Sequence, residues 1–295
     1  MQSAEFLSAV FFYLKVGENL NQNWIVENLN NAFSTWNGKL GELWGLVTTG
    51  PQTFKGGAVW GVMQTLHNGM VGIGYALVVL FFAISLCKNT MNFHELKRPE
   101  AAIHYFLRFV AAKALVGYGM DIMLNVFSIC NGIVTDMADS MGGISEAMVS
   151  LPTEMQTAIE NVGFLASIPL WLVTILGSLF ITVLSFVMIL TVYGRFFRLY
   201  MYTALAPLPL AAFAGESTQS VGISFLKSYV GVCLEGAVIV LACVIYSAFV
   251  STPTVASGEA TTIVWSYLAE TVFNMLVLVG LIKGSDRIIH EMMGL

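Results

Sequence analysis

Apolar positions recur with a helical period along the first third of the chain. Ile25, Leu29, Phe33, Trp36, Leu40, Leu43, Trp44 and Val47 fall within an arc of about 100° on a helix. Asn28, Asn31, Ser34, Asn37, Lys39 and Glu42 take the opposite face. This predicts an amphipathic helix that packs on its own protein, or lies on a membrane face or docks a partner. Trp24, Trp36 and Trp44 suit the headgroup level, where an indole ring is half wet. The polar face is rich in Asn rather than Lys or Arg, unlike a helix that binds anionic lipid. The earlier run Phe6–Leu14 is apolar, but it is too short to span a bilayer and does not read as a cleavable signal.

Beyond Pro51 the pattern changes from striped to continuous. Gly56–Cys87 carries no Asp, Glu, Lys or Arg, and its densest part predicts a first membrane span at about 69–87. Further spans are predicted at about 104–128, 164–193, 229–251 and 262–282. Between the second and third, residues 134–162 hold Asp136, Asp139, Glu146, Glu154 and Glu160 with no Lys or Arg, which predicts an acidic loop. The run Gly194–Glu216 reads GRFFRLYMYTALAPLPLAAFAGE. Arg195 and Arg198 open it, and Pro207 and Pro209 remove two backbone donors from its centre. Residues 196–216 therefore predict a re-entrant or inner-face hairpin, the alternative being a sixth span.

Composition agrees. Of 295 residues, 57% are hydrophobic and 11% charged, against about 25% charged in soluble domains. Backbone polar groups in lipid must be satisfied within the chain, and runs without a period of two favour helices over a barrel. The fold class is all-α, a polytopic membrane protein, with an N-terminal amphipathic region over 1–68 and a transmembrane domain over 69–295.

Charge orients the spans. Lys88, Lys97, Arg98, Arg195, Arg198, Lys283 and Arg287 share one side only if there are five spans, so the positive-inside rule predicts an external N-terminus and a cytoplasmic C-terminus. Depth then matches Lys113 with Glu235, a predicted intramembrane pair. Asp121 and Glu270 share an outer depth, where they could face a wet cavity, bind a cation or hydrogen-bond to a neighbouring helix. The four cysteines have no CxxC spacing, the four histidines form no HExxH, and no P-loop or GxSxG is present. No cofactor, metal or catalytic set is expected, and no basic block marks a nucleic-acid surface.

The stretch Gly194–Cys243 carries the paired Arg195 and Arg198, the run ALAPLPLA, the segment GISFLK ending at Lys227, and an apolar helix with Glu235. It resembles the TrbL-type family, the polytopic inner-membrane channel subunits of type IV secretion systems, in the form carried by conjugative elements of Gram-positive bacteria. The family is described with five spans, an external N-terminus and a cytoplasmic C-terminus, the arrangement that charge counting reaches separately. The resemblance implies a non-enzymatic subunit of the bacterial cytoplasmic membrane that assembles as a homo-oligomer among lipids. It also implies secretion ATPases and other membrane subunits as partners, and single-stranded DNA with its relaxase as the transient substrate. The short acidic loop departs from relatives with a large external loop. The alternative function is a small-molecule or ion transporter using Asp121 and Glu270.

Overall fold

The computed structural model describes residues 2–90, 99–140, 148–162, 164–249 and 260–295. Among the described residues there is no strand. The helices are α1 (Gln2–Thr48), α2 (Ala58–Thr90), α3 (Pro99–Gly117), α4 (Gly119–Ser140), α5 (Thr153–Glu160), α6 (Phe164–Leu205), α7 (Pro207–Ala211), α8 (Gln219–Phe249) and α9 (Ala260–Met293). Short 3₁₀ turns occupy Phe54–Gly57 and Ala212–Ala214. Four helical stretches are long and apolar enough to cross a membrane: Phe54–Lys88, Ser167–Leu205, Gln219–Phe249 and Thr262–Met293. Residues 103–140 make a fifth if the bent pair α3–α4 counts as one span. The protein is an all-α, multi-pass membrane protein.

The chain forms two compact units. The first comprises Met1–Trp44, Gly143–Thr191 and Leu241–Lys283. Here Ile25, Leu29, Phe33, Trp36, Leu40 and Leu43 of α1 are buried, so the apolar arc faces protein. Its polar edge is used as well. Asn28 Nδ2 donates to Ser178 Oγ at 3.0 Å, and Asn37 both donates to the Val149 carbonyl (2.8 Å) and accepts from the Val149 amide (2.9 Å). An Asn-rich face thus substitutes for water in satisfying backbone groups beside a helix. Trp24 stays 40% exposed and tilts against Trp171, whereas Trp36 is fully buried. The headgroup position expected for Trp36 is therefore corrected: an indole on the centre of the apolar arc is drawn into the core with its neighbours.

The second unit comprises Gly45–Gly142, Val192–Val240 and Gly284–Leu295. Lys55, Gly56 and Gly57 have positive φ and turn the chain from α1 into α2. Phe54 stacks on Phe196 at 4.0 Å, which ties this turn to α6. Helices α2 and α3 pack around α7 and the 3₁₀ turn after it. At Gly74 a Cβ would come within 2.9 Å of the Pro207 carbonyl, so only glycine lets α2 lie this close to α7.

Three predicted boundaries change. The stretch expected as one span at 104–128 bends by 73° between α3 and α4, at Tyr118 between two glycines. The acidic stretch 134–162 is not a plain loop, because α4 runs to Ser140 and α5 covers Thr153–Glu160. Helix α6 does not stop near 193 but continues through both arginines to Leu205, so only residues 206–216 of the expected hairpin lie in the compact turn. No helix of spanning length occupies the stretch between Leu205 and Gln219.

Candidate functional site, a buried arginine cluster

Both arginines lie in the second unit on the last turns of α6, and the cluster explains why α6 runs on past them. Arg195 is fully buried. Its Nε donates to the Val232 carbonyl (3.3 Å), Nη2 to the Cys233 carbonyl (3.2 Å) and Nη1 to the Val47 carbonyl (3.2 Å). A guanidinium fork has five donors, and carbonyls already in a helical ladder keep a second lone pair. Gly236 makes the approach possible, because a Cβ there would lie 2.8–2.9 Å from the guanidinium. Val47 is in the last turn of α1, where carbonyls lack helical partners and the helix dipole is negative. The neighbouring Thr48 carbonyl accepts from Asn131 Nδ2 of α4 at 3.1 Å. Side chains from α6 and α4 thus cap α1.

Arg198 completes the cluster. Its Nη2 donates to both Glu235 oxygens at 2.7 Å, and its Nη1 donates to Asp286 Oδ1 of α9. Glu235 is buried and also accepts from Ser285 Oγ at 3.2 Å. Two guanidinium and two carboxylate groups therefore meet where α6, α8 and α9 converge, each charge met by an opposite charge or by backbone carbonyls. Isolated charges at such depth would carry a large desolvation cost, which pairing of this kind offsets.

The expected pair of Lys113 with Glu235 is corrected. Glu235 is engaged by Arg198 and Ser285, while Lys113 is exposed on α3. Depth along a helix follows from residue counting, but the direction in which a side chain points depends on how the helices are rotated against each other. Asp121 is exposed in the first turn of α4, where an acid suits the helix dipole. Glu270 is exposed on α9 in the other unit. Among the described residues no group of three or more His, Cys, Asp or Glu could hold a metal ion. Lys227 is exposed on α8, Pro207 is buried at the start of α7, and Pro209 is half-buried.

Sequence reading missed His67. Its Nδ1 lies 2.7 Å from the Thr203 carbonyl, and the residue is buried. In a helix this carbonyl would accept from the amide four residues on, which is Pro207 and has no N–H. A carbonyl cannot donate, so Nδ1 carries the proton. The signal was available as the spacing between Thr203 and Pro207, but which side chain would answer it was not. Tyr200 and Tyr229 also donate to backbone carbonyls, those of Pro51 and Met123, at 2.8 Å.

These features define a polytopic helical membrane protein whose helices are joined by a charge-balanced cluster around the buried Arg195 and Glu235. The chain belongs to the TrbL/VirB6 plasmid conjugal transfer like family, whose model matches residues 36–207, more than half its length. The match includes Arg195, Arg198 and Pro207, and ends before Pro209, Lys227 and Glu235. No curated protein and no solved structure matches the chain. Family membership makes this a conjugal-transfer membrane protein and does not favour the transporter reading.

Proposed function

We propose that the chain is a channel or scaffold subunit of a conjugative type IV secretion system in a Gram-positive cytoplasmic membrane. In this role it has no catalytic activity of its own. Copies assemble as a homo-oligomer, with secretion ATPases and other membrane subunits as partners, and help move single-stranded DNA with its relaxase across the bilayer. The N-terminus is outside and the C-terminus cytoplasmic. The arginine cluster acts as a rigid joint, the turn at Pro207 and Pro209 packs within the subunit, and exposed Lys227 offers a cytoplasmic contact to partners. The observation that carries the reading is the family match over residues 36–207.

The test is made in mating cells. Deletion of the gene in the donor is expected to abolish DNA transfer, with recovery on complementation, and a photoreactive transferring strand is expected to crosslink to the protein. Normal transfer from the deletion strain would refute the role. Loss of transfer without any crosslink would leave a scaffold and remove the channel.

A further inference from the structure

Two of the four cysteines meet where α4 and α8 pack in the second unit. Cys130 lies on the buried face of α4, with Met123, Phe127 and Val134, and is 5% exposed. Cys233 lies on α8 and is fully buried. Both are free, and their thiols are in hydrogen-bond contact. No CxxC or other short spacing announces the pair, because its members are far apart in the chain.

The surrounding hydrogen bonds hold this contact in place. Tyr229, one turn before Cys233, donates to the Met123 carbonyl of α4 at 2.8 Å. The Arg195 guanidinium bridges the Cys233 and Val47 carbonyls, at 3.2 Å from each. Asn131, the neighbour of Cys130, donates to the next carbonyl of α1, that of Thr48, at 3.1 Å. The backbone beside each cysteine is thus tied to the same end of α1. The arginine cluster uses the carbonyl of Cys233 but neither thiol.

We propose that Cys130 and Cys233 form a redox-sensitive lock, in which a hydroperoxide converts the thiol pair into a disulfide that joins α4 to α8. Hydrogen peroxide is the simplest such oxidant. Cys130, the less enclosed of the two, attacks one peroxide oxygen. An S–O bond forms, the O–O bond breaks, and the departing hydroxide takes the thiol proton and leaves as water. The Cys233 sulfur then attacks the sulfenic sulfur of Cys130. The S–S bond forms, the S–O bond breaks, and the hydroxyl leaves with the Cys233 proton as a second water. The two thiols give up two electrons, and the peroxide takes both. The thiolate is the nucleophile in this chemistry, and Arg195 is the positive charge beside the pair. The disulfide pins α4, which caps α1 through Asn131, to α8, which carries Glu235. The cluster is then held in one arrangement until a dithiol reductant, admitted by local opening, restores the thiols.

The test treats the full chain in detergent with hydrogen peroxide, then unfolds it, labels it with a maleimide and reads its mass. Reduced protein takes four labels, one for each cysteine. After peroxide the wild type is expected to take two fewer. Digestion should release one linked pair of peptides, containing Cys130 and Cys233, and dithiothreitol should separate them. The oxidised protein should melt at a higher temperature than the reduced one, since a cross-link that closes a long loop constrains the unfolded chain. Cys87→Ser and Cys243→Ser should each still form the bridge, whereas Cys130→Ser and Cys233→Ser should form no internal cross-link. Four labels retained by peroxide-treated wild type, a measurement that needs no variant to fold, would overturn the proposal. So would a linked pair that includes Cys87 or Cys243, or a disulfide-bonded dimer in place of the internal bridge. A melting temperature unchanged by the bridge would show that α4 and α8 are not locked, and would overturn it as well.

Discussion

At the scale of single residues, the decisive group is Arg195, because a fully buried guanidinium is retained only if every approach to it stays open. Gly236→Ala would place a methyl carbon 2.8–2.9 Å from that guanidinium. The expected cost is about 1–3 kcal/mol, as for overpacking in a tight core, read as a lower melting temperature of the purified protein. Glu235 is the second such residue. Glu235→Ala removes the carboxylate that meets Arg198 and should cost about 1–3 kcal/mol, since Arg198 keeps Asp286 as a partner. The same substitution made together with Arg198→Met should cost clearly less than the two changes summed, since the pair is removed as a unit. A background of Lys113→Met should leave the effect of Glu235→Ala unchanged. If Lys113→Met instead reduced it, the ion pair would belong to Lys113 after all. The sequence marked Glu235 as unusual because charge is costly in lipid, and Arg195 and Arg198 as the cytoplasmic opening of the proline-broken run. Their partners were not legible, since several are backbone carbonyls and carry no residue-type signal.

At the scale of elements, the join between α6 and α7 depends on a hydrogen bond that proline displaced. Pro207 cannot donate to the Thr203 carbonyl, and His67 of α2 supplies the missing N–H. His67→Phe keeps a ring in place but leaves a buried carbonyl without a donor, at a cost of about 1–3 kcal/mol. Pro207→Ala restores a backbone N–H and keeps the Cβ that packs on Gly74. His67→Phe should therefore be milder in a Pro207→Ala background, and thermal melts of the four proteins read the difference. Equal effects in both backgrounds would show that the Pro207 gap is not what His67 fills. The same logic explains the misplaced helix boundary. An arginine pair reads as the end of a span when water is its only available partner. Here carbonyls, Glu235 and Asp286 take that role, and α6 continues to Leu205. The bend at Tyr118 was equally hidden, because glycines permit a kink without requiring one.

At the scale of the whole molecule, the proposed topology of five crossings would put the turn after α6 and the helix α5 on opposite sides of the membrane. With exposed Cys87 replaced by Ala, single cysteines at Glu216 and Arg287 should react with an impermeant maleimide only after the cytoplasmic side is opened. Cysteines at Glu154 and Glu160 should react in intact cells. Labelling of Glu216 and Glu160 from the same side would require a different number of crossings. The sequence by itself determined the solvent, the helical class, the apolar arc of α1 and the resemblance to conjugal transfer proteins. All of these follow from composition, periodicity and local chemistry, properties that add up along the chain. Only the tertiary structure decided which carboxylate meets which arginine, where α6 stops, why Gly236 is small and which histidine answers Pro207. Each of those depends on the rotation of one helix against another, and that is set by packing between residues far apart in sequence.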